Sequence, residues 1–594
     1  MALLTFLFRD CGDKKFEYQV VSDFKTLKKA AKNADTTLPK VKIALLGDTA
    51  TQFLATAIKG AAQQNGFYAD LFEAEFNQVE QQIFDPESDL HKFQPQFTVI
   101  FQSTHKYLTS FESMSSCDKP NAAQKRIDFL KEAKGLLNSK LIICNYPEID
   151  DGVFGQYGNK TAQSFIYQNR KINYLLMEFA EQYSDVFICD LSSLQNKFGR
   201  DFCFDSSVYT STEMVLSVDF VPYVAQRIVD ITAAVLGKFK KCLIMDLDNT
   251  LWGGVVGDDG IENIKLGHGL GIGKAFTELQ LWIKQLKERG IILAVCSKNN
   301  EETAKEPFVK HPEMVLKLSD IAVFTANWDT KVENIMNIQQ ILNIAFDSMV
   351  FIDDNPFERN IVRENISGIS VPELPEDPAD YLEFLYSENL FETASFSSGD
   401  KDRTKQYQVE AERITERKKF ADEGGFLKSL NMVSEVQGFT KFLTPRIAQL
   451  TQRSNQFNLR TIRYTEEDIA RLENSDNHKC FSFTLEDRFG DNGMICVIVL
   501  EKRNELKDLF IDTWLMSCRV LKRGMENFTL NTIVNYAKST GFKTITGEYI
   551  PTLKNSMVKD HYPKLGFAPV EGKENLWVLD VDSYQEKQVF IKEK

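Results

Sequence analysis

Short apolar runs alternate with amphipathic stretches of helical length over the first 235 residues of the chain. Five of these runs have the length of a buried strand: VKIALLGD, FYADLFEAEF, FTVIFQST, KLIICNYPE and DVFICDLSSL. The order strand, helix, strand is typical of parallel sheets with helices on both faces. We therefore predict an α/β domain over residues 1–235.

The same alternation returns between residues 236 and 380. The four apolar runs there are CLIMDLD, IILAVCSK, IAVFTAN and MVFIDD, and each ends in strongly polar residues. Open α/β sheets bind ligands at the carboxyl ends of their strands. We predict a second α/β domain over residues 236–380, with a site at that edge of its sheet.

The strand-like pattern stops after this second domain. Residues 397–425 mix acidic and basic side chains closely and end in Gly424 and Gly425. This composition is typical of a solvated helix that closes at glycine. We predict a connecting helix within a linker at 381–430.

The last part of the chain, residues 431–594, has a different order of elements. Its strand-like runs are CFSFTLED, GMICVIVLEK, LFIDTWLMSC, TITGEYI and LWVLDV, and they surround a predicted helix at 524–539. Runs of neighbouring strands favour antiparallel pairing, so we predict an α+β domain. The whole chain is then a multidomain α/β protein.

Composition and charge exclude several classes of protein. With 594 residues, 43% of them apolar and 26% charged, the chain has the composition of an ordinary multidomain globular protein. Its net charge of −14 argues against nucleic acid or an anionic membrane as a partner. No apolar run approaches the roughly 20 residues of a membrane span. Ten cysteines without a CxxC pair favour free thiols, and so a cytoplasmic protein.

Two carboxylates stand two residues apart at the end of a predicted strand, in LIMDLDNTLWGG. Asp246 is placed to attack a phosphorus atom in line while Mg2+ neutralises the crowded charge. Asp248 is then placed to protonate the leaving group and later to deprotonate water. A hard cation needs further oxygen ligands, and VFIDDNP supplies Asp353 and Asp354 at the end of a later strand.

Phosphoryl oxygens need hydroxyl or amide donors and a cation. We predict a phosphate-binding set of Thr250, Ser297, Asn299 and Lys331, all near predicted strand ends or a helix start. The 46 residues between Thr250 and Ser297 hold one loop and one helix but no large inserted cap. We therefore expect an open site, which suits a bulky or protein-tethered substrate.

The order of DLDNT, Ser297, Lys331 and DD resembles the four motifs of the haloacid dehalogenase (HAD) phosphatase superfamily. The resemblance implies a Rossmann-like domain with a minimal cap. It implies that Asp246 is the nucleophile and Asp248 the acid and base. It also implies that Mg2+ is held by Asp246, the backbone carbonyl of Asp248, and Asp353 or Asp354.

Longer motifs between about residues 240 and 570 resemble a narrower group, the FkbH-like family. They are DLDNTLWGGVVGDDG, FIDDNPFER, SNQFNLRTIRY, DRFGDNG, WLMSCRVLKRGME and PTLKN. Members resemble a HAD phosphatase fused to an acyltransferase-like domain. The best understood members remove phosphate from 1,3-bisphosphoglycerate and load the glyceryl group on an acyl carrier protein.

The last domain resembles the GNAT acyltransferase fold, in which a turn before a helix cradles coenzyme A or a phosphopantetheine arm. The turn corresponds to Arg519–Gly524, with Lys522 where that fold has its first glycine and Arg523 beside it. The resemblance also implies a pantetheine contact at Asn555 and a general acid at Tyr562. The alternative is a helix cap at Asn555 and a half-buried aromatic at Tyr562.

A thioester route of loading would need a nucleophilic cysteine. The candidates are Cys296, next to Ser297, and Cys518, next to Arg519, because nearby cations or amide groups lower the pKa of a thiol. The alternative for each is a buried packing role.

The first domain carries LLGDT after its first predicted strand, which resembles the first block of SGNH hydrolases. Thr49 replaces the serine of that block, and no histidine lies between His105 and His268, where a catalytic base is expected. We predict an SGNH-like, flavodoxin-like fold without hydrolase chemistry.

These observations predict a Mg2+-dependent phosphatase coupled to acyl or glyceryl transfer. Its partners would be a phosphorylated small molecule and an acyl carrier protein. One alternative is a phosphatase of sugar or nucleotide-sugar metabolism joined to an acyltransferase that uses coenzyme A. Another alternative is a multidomain scaffold with a vestigial site.

Overall fold

The computed structural model describes residues 21–396, 403–417, 420, 422–517, 520–552 and 554–594. Three sheets organise these residues: a parallel sheet of five strands, a parallel sheet of four, and a mixed sheet of nine. The predicted multidomain α/β architecture is confirmed. In this part of the chain no helix is long and apolar enough to cross a membrane.

The first domain is a parallel sheet in the order β2-β1-β3-β4-β5 with helices on both faces. Its central strands are buried on both sides, because apolar side chains fill both faces in continuous runs. The strands are β1 Lys40–Gly47, β2 Tyr68–Glu73, β3 Phe97–Phe101, β4 Lys140–Cys144 and β5 Val186–Cys189. The helices are α1 Phe24–Lys32, α2 Gln52–Gln64, α3 Val79–Phe84, α4 Asp89–Phe93, α5 Thr104–Ser113, α6 Ala122–Leu136, α7 Phe165–Glu181, α8 Leu191–Phe198, α9 Arg200–Cys203, α10 Ser206–Thr212 and α11 Val221–Val235.

The second domain is a parallel sheet in the order β8-β7-β6-β9. Its strands are β6 Cys242–Met245, β7 Ile292–Ser297, β8 Ile321–Ala326 and β9 Met349–Ile352. Its helices are α12 Val256–Asp259, α13 Gly273–Glu288, α14 Glu301–Lys310, α15 Lys331–Leu342, α16 Pro356–Asn365 and α17 Tyr381–Glu388. Tyr381, Phe384 and Leu385 of α17 are buried in the core of this sheet, so the packing of this domain continues past residue 380.

The third domain is a mixed sheet in the order β16-β17-β15-β14-β13-β12-β10-β18, with β11 also paired to β12. The five strands predicted from the sequence correspond to β12, β13, β14, β15 and β17. The bounds are β10 Met432–Ser434, β11 Val436–Gln437, β12 His478–Asp487, β13 Gly490–Arg503, β14 Asp508–Met516, β15 Thr544–Glu548, β16 Ala568–Pro569, β17 Leu576–Asp580 and β18 Ile591–Glu593. The helices of the remaining chain are α18 Arg403–Arg417, α19 Glu423–Ser429, α20 Thr444–Arg453, α21 Glu466–Glu473, α22 Met525–Thr540 and α23 His561–Leu565. Two pairs, β14 with β15 and β10 with β18, are parallel, so the pairing is not purely antiparallel as predicted.

The connecting helix differs from the prediction of a solvated helix that closes at two glycines. Helix α18 packs on the second domain, where Tyr407 is buried in the core between the sheet and α15. The helix ends at Arg417, and Gly424 and Gly425 instead lie in the first turn of α19. Asp422 caps α19 by accepting a hydrogen bond from the backbone N–H of Gly425 at 2.7 Å.

The three domains contact one another directly. The hydroxyl of Ser184 in the first domain donates to Glu467 in the third at 2.6 Å. The amide of Asn389 in the second domain donates to Asp230 in the first at 3.0 Å. Lys241, at the start of the second domain, donates to the backbone carbonyl of Arg453 in the third at 2.9 Å. Each domain therefore touches both of the others.

Candidate active site

Three carboxylates converge at the carboxyl ends of strands β6 and β9. The register pairs Met245 with Ile352, so the next residues, Asp246 and Asp353, leave neighbouring strands side by side. Asp354 follows, and each of the three carboxylates offers an oxygen within 4.8 Å of the other two. The sequence prediction that these residues meet at one sheet edge agrees with this placement.

Lys331 links two of these carboxylates. Its ammonium nitrogen lies 2.8 Å from Oδ1 of Asp246 and 2.6 Å from Oδ2 of Asp353. The side chain is only 3% exposed, at the first residue of α15. Thr330 and Glu333 form a capping box that fixes this helix start and so the position of the lysine. Burial opposes the charge of Lys331, but Asp246 and Asp353 outweigh it and raise its pKa.

Burial and crowding raise the pKa of two of these carboxylates, Asp353 and Asp354. Burial, and then repulsion by Asp246, raises the pKa of Asp353 to about 6, although Lys331 acts in the opposite direction. The same two causes, burial first, raise the pKa of Asp354. One lysine therefore does not fully compensate three carboxylates. Such a site of oxygen ligands fits a hard divalent cation.

Asp248 is held by three hydrogen bonds in the turn that follows β6. Its Oδ1 accepts hydrogen bonds from the indole N–H of Trp252 at 2.9 Å and from the backbone N–H of Val256 at 3.0 Å. Its Oδ2 accepts one from the amide of Asn299 at 3.1 Å. Burial raises the pKa of Asp248, despite these bonds. Asn249 takes a left-handed backbone conformation with φ 55°, which asparagine tolerates, and this shapes the turn.

The predicted phosphate-binding residues lie around the same turn. Thr250 exchanges two hydrogen bonds with Asp354: its hydroxyl donates to Oδ1 at 3.1 Å and accepts from the backbone N–H at 3.0 Å. Ser297 ends strand β7, beside β6, and is 2% exposed. Asn299 holds Asp248 rather than standing free to bind phosphate. Direct contacts thus link Lys331 with Asp246 and Asp353, Thr250 with Asp354, and Asn299 with Asp248.

Cys296 does not have the environment of a nucleophile. It is fully buried on the side of β7 opposite Ser297, because successive residues of a strand point to opposite faces. Its Sγ lies 3.8 Å from the backbone carbonyl of Lys331. Burial raises the pKa of its thiol to about 12, so a thiolate is strongly disfavoured. Cys518, the other candidate, and Arg519 beside it lie outside the described residues.

Two residues in this site carried no assignment from the sequence. Arg359 donates from Nη1 to the backbone carbonyls of Asp353 and Asp354, both at 2.7 Å, and so fixes the loop that carries them. Trp252 orients Asp248. Arg359 ends FIDDNPFER and Trp252 lies in DLDNTLWGG, so both belong to motifs already recognised. The sequence does not reveal which backbone and side-chain atoms Arg359 and Trp252 contact.

Asn555, the predicted pantetheine contact, and Tyr562, the predicted general acid, both lie inside the third domain. The side-chain amide of Asn555 donates to the backbone carbonyls of Asn458 and Ile550, at 3.0 and 2.9 Å, and its Oδ1 accepts from the backbone N–H of Thr552 at 2.7 Å. Tyr562 is fully buried and burial raises its pKa. Neither alternative is met as stated, because Asn555 precedes the turn Ser556–Val558 without capping it through its side chain, and Tyr562 is fully rather than half buried.

In the described part of the turn before α22, residues 520–524, the two basic side chains have different environments. Arg523 is 5% exposed and pairs with Asp487 at 3.1 Å and with Glu410. Its charge is therefore compensated inside the protein. Lys522 is exposed in a left-handed conformation with φ 62°, and Gly524, with φ 80°, precedes the helix. Of the predicted basic pair, Lys522 alone faces solvent.

The first domain places Thr49 in the interior. The side chain is 1% exposed, and its neighbour Asp48 accepts a hydrogen bond from the backbone N–H of Ser103 at 2.8 Å. His105 packs its ring against Phe204 and Tyr209, with centroids 5.4 and 5.0 Å apart. Burial lowers the pKa of His105 to about 4. The absence of hydrolase chemistry in this domain stays a prediction.

Comparisons with known proteins match the chain to one family. Residues 42–233 match the family model described as FkbH, N-terminal domain. The N-terminal part of the protein BF1531 from Bacteroides fragilis, described as containing a phosphatase domain complexed with Mg, is 60% identical and covers 63% of this chain and 100% of its own, with a TM-score of 0.61. Comparison with curated protein sequences gives no significant match.

Two acetyltransferases resemble a smaller part of the chain. They are the ribosomal-protein-S18-alanine N-acetyltransferase from Escherichia coli and mutant forms of the spermidine/spermine N-acetyltransferase SpeG from Vibrio cholerae. The first is 13% identical and covers 26% of this chain and 99% of its own. The second is 12% identical and covers 25% and 95%, and both have a TM-score of 0.20. Similarity at this level carries no conclusion about activity.

Proposed function

The chain belongs to the FkbH-like family of HAD phosphatases, and on that premise we propose that its second domain removes a phosphoryl group by way of an aspartyl phosphate on Asp246. The observation that carries the proposal is the group of Asp246, Asp353 and Asp354 around Lys331 at the carboxyl end of the sheet. A buried nucleophile, a cation beside it and an acid two residues away are the parts that phosphoryl transfer needs.

Asp246 acts first. An oxygen of its carboxylate forms a bond to phosphorus, and the bond from phosphorus to the leaving oxygen breaks. Lys331, 2.8 Å from Oδ1 of Asp246, orients that carboxylate and stabilises the charge on the transferring group. Water then forms a bond to phosphorus, and the bond to Asp246 breaks. Phosphate leaves, and the carboxylate is restored.

Asp248 moves the proton in both halves of the reaction. Its raised pKa favours the protonated form that gives a proton to the leaving oxygen. As a carboxylate it then takes a proton from the attacking water. The hydrogen bonds from Trp252 and Asn299 hold its two oxygens in one orientation. Asn299 is therefore a positioning residue for the acid and base.

The residues present fit a magnesium ion. Asp246, Asp353 or Asp354, and the main-chain carbonyl of Asp248 would hold it, in keeping with the preference of Mg2+ for oxygen ligands. When bound, Mg2+ supplies positive charge that neutralises the phosphoryl oxygens and the carboxylates. The magnesium described for BF1531 supports this proposal. Ser297, with Lys331, is proposed to bind the phosphoryl oxygens.

The family resemblance extends the proposal to glyceryl or acyl transfer to an acyl carrier protein. The carrier thiol forms a bond to the acyl carbon of an acyl phosphate while the phosphate on that carbon leaves, and Asp246 takes the phosphoryl group of the remaining phosphate ester. The substrate would then be an acyl phosphate such as 1,3-bisphosphoglycerate. The environments of Cys296, Asn555 and Tyr562 give no support to a thioester or pantetheine route through these residues. A carrier protein would have to supply the thiol itself.

The test is phosphate release by the full chain with Mg2+ from a panel of acyl phosphates, glycerate phosphates, sugar phosphates and nucleotides. The Asp246→Asn variant is expected to release none, and Asp476→Asn, at an exposed aspartate of the third domain, is the matched control. Release equal in wild type and Asp246→Asn would contradict the proposal and favour a scaffold.

Coupling to transfer has its own experiment. The chain is incubated with 1,3-bisphosphoglycerate and a phosphopantetheinylated carrier protein, and the mass of the carrier is measured. A glyceryl adduct that depends on Asp246 supports transfer. Phosphate release without any adduct would favour a phosphatase of sugar or nucleotide-sugar metabolism.

A further inference from the structure

The three domains meet around two adjoining cavities far from Asp246. The larger, of about 740 Å³, is lined by residues of all three domains. The smaller, of about 320 Å³, lies between the second and third domains. Asp347 and Lys554 line both, so the two cavities form one junction cavity.

The junction cavity lies at the end of the second sheet opposite the candidate active site. Lys240 and Lys241 precede strand β6, and Asp347 precedes strand β9. Asp246 and Asp353 follow the same two strands. Four residues of extended strand span about 13 Å. A ligand in the junction cavity would therefore be separate from a substrate at Asp246.

The charge of this cavity is opposite to that of the chain. Eight basic and four acidic side chains line it, an excess of four positive charges. The whole chain carries a net charge of −14. A local reversal of sign focuses the potential and attracts anions.

Three lysines line the wall of this cavity near Asp347, and one of them pairs with its carboxylate. The ammonium of Lys554 lies 2.7 Å from Oδ2 of Asp347. Lys240 donates to the backbone carbonyl of Asp347 at 2.8 Å, and Lys238 donates to the carbonyls of Asn65 and Gly66 at 2.9 and 2.7 Å. The pKa values of Lys238 and Lys240 are lowered to about 8, by burial and by the charge of Lys554. Asp347 alone does not compensate three ammonium groups.

These lysines retain hydrogen-bonding capacity toward the cavity. An ammonium group has three N–H donors. The bonds above use two donors of Lys238 and one each of Lys240 and Lys554. Five donors remain beyond those bonds. Three ammonium groups and one carboxylate leave two positive charges, which matches a phosphate dianion.

We propose that the junction cavity is a second anion site, which binds the phosphate group of a small phosphorylated molecule through Lys238, Lys240 and Lys554. The remaining volume takes the organic part of that molecule. Lys238 follows the last helix of the first domain, Lys240 leads into the second, and Lys554 belongs to the third. A ligand there ties the three domains together and stabilises the assembled chain.

The test measures the reactivity of single lysines with an amine-acylating reagent, read by peptide mass spectrometry on the full chain in the Asp246→Asn background without Mg2+. Inorganic phosphate is the probe, and sodium chloride of equal ionic strength is the control. At a phosphate concentration of twice Kd, acylation of Lys238, Lys240 and Lys554 is expected to fall about threefold. Acylation of Lys59, exposed on α2, is expected to stay constant.

Two lysine variants test whether protection from acylation depends on the junction cavity. Lys554→Gln is expected to weaken the protection of Lys238 and Lys240, whereas Lys59→Gln is expected to leave it unchanged. A thermal midpoint without phosphate within about 2 °C of wild type shows that a variant is folded. Equal acylation with and without phosphate, or equal protection by chloride, would overturn the proposal. Because no activity is measured, failure of the phosphatase mechanism would not affect this result.

Discussion

The ammonium of Lys331 bridges Asp246 and Asp353, at 2.8 and 2.6 Å from one oxygen of each. The lysine is 3% exposed, and Asp353 is fully buried. A buried cation between two carboxylates from neighbouring strands sets the charge balance of the site. It also ties the start of α15 to the ends of β6 and β9.

Replacement of this lysine tests that balance. Lys331→Met leaves two buried carboxylates without their cation, so we expect a loss of about 3–5 kcal/mol in the free energy of unfolding without metal. Phosphate release is expected to fall at least about 100-fold. Urea unfolding with and without Mg2+ measures the first effect, and added Mg2+ should restore part of the stability. Lys59→Met, at an exposed lysine, is the control. A free energy of unfolding for Lys331→Met equal to that of this control would contradict the prediction.

The bond from Asn299 to Asp248 predicts a change in pH dependence. This bond lowers the pKa of Asp248, against the larger effect of burial, so Asn299→Ala should raise that pKa further. The pH profile of kcat is expected to move to higher pH, and kcat at neutral pH to fall about tenfold with little change in KM. Asn263→Ala, at an exposed residue, is the control. A lower kcat with an unshifted profile would show a merely structural role.

A buried histidine in the third domain predicts acid sensitivity. His561 lies between Phe457 and Trp514, with ring centroids 5.0 and 4.5 Å away, and burial lowers its pKa from 6.5 to about 3. Between those values the unfolded chain binds a proton that the folded chain does not, so stability falls as pH falls from 6.5 toward 3. This residue contributes a slope of at most about 1.4 kcal/mol per pH unit.

His561→Phe removes that contribution while keeping a ring in the same space. We expect its free energy of unfolding to fall less steeply with acid than that of wild type, measured by urea unfolding between pH 7 and pH 5. His268→Phe, at an exposed position, controls for the loss of an imidazole. An acid slope unchanged in His561→Phe would contradict the burial of a neutral histidine.

An ion network joins α18 to the third domain. Asp487, which is fully buried, lies 2.9 Å from Arg413 of α18 and 3.1 Å from Arg523, and Glu410 also pairs with both arginines. Asp487→Asn leaves two buried arginines with one carboxylate, so we expect a loss of about 3–5 kcal/mol in stability.

The neighbour in sequence supplies a matched control for this network. Glu486 is exposed on the same strand, and Glu486→Gln is expected to change stability by less than about 0.5 kcal/mol. Urea unfolding of the two variants compares them directly. Equal effects would show that burial of the network does not stabilise the chain.

The site of the second domain was predictable from the sequence because its polar residues stand at the ends of apolar strand-like runs. Asp246, Ser297 and Asp353 each follow an apolar run, and parallel register brings such positions to one edge. The orienting roles of Trp252 and Arg359 were not predictable, since they depend on which atoms a side chain reaches in three dimensions. Asn299 was assigned to the right site but to a different contact.

The third domain shows where pattern alone is insufficient. Residues Arg413 and Arg523 look solvated in sequence, yet Asp487, distant from both along the chain, makes their burial possible. In the sequence Asn555 resembles a residue that contacts a ligand. In the structure its side-chain amide donates a hydrogen bond to the backbone carbonyl of Asn458. Two-residue strands such as β16 have no periodicity to detect.

The central claim is that Asp246 is the nucleophile, and fluorine NMR with trifluoroberyllate tests it without knowledge of the substrate. Trifluoroberyllate mimics a phosphoryl group and coordinates an aspartate carboxylate in place of phosphorus. In the presence of Mg2+ we predict fluorine resonances of a bound species in wild type and in Asp248→Asn, and their absence in Asp246→Asn. Bound resonances that persist in Asp246→Asn, or that are absent from wild type, would contradict the assignment.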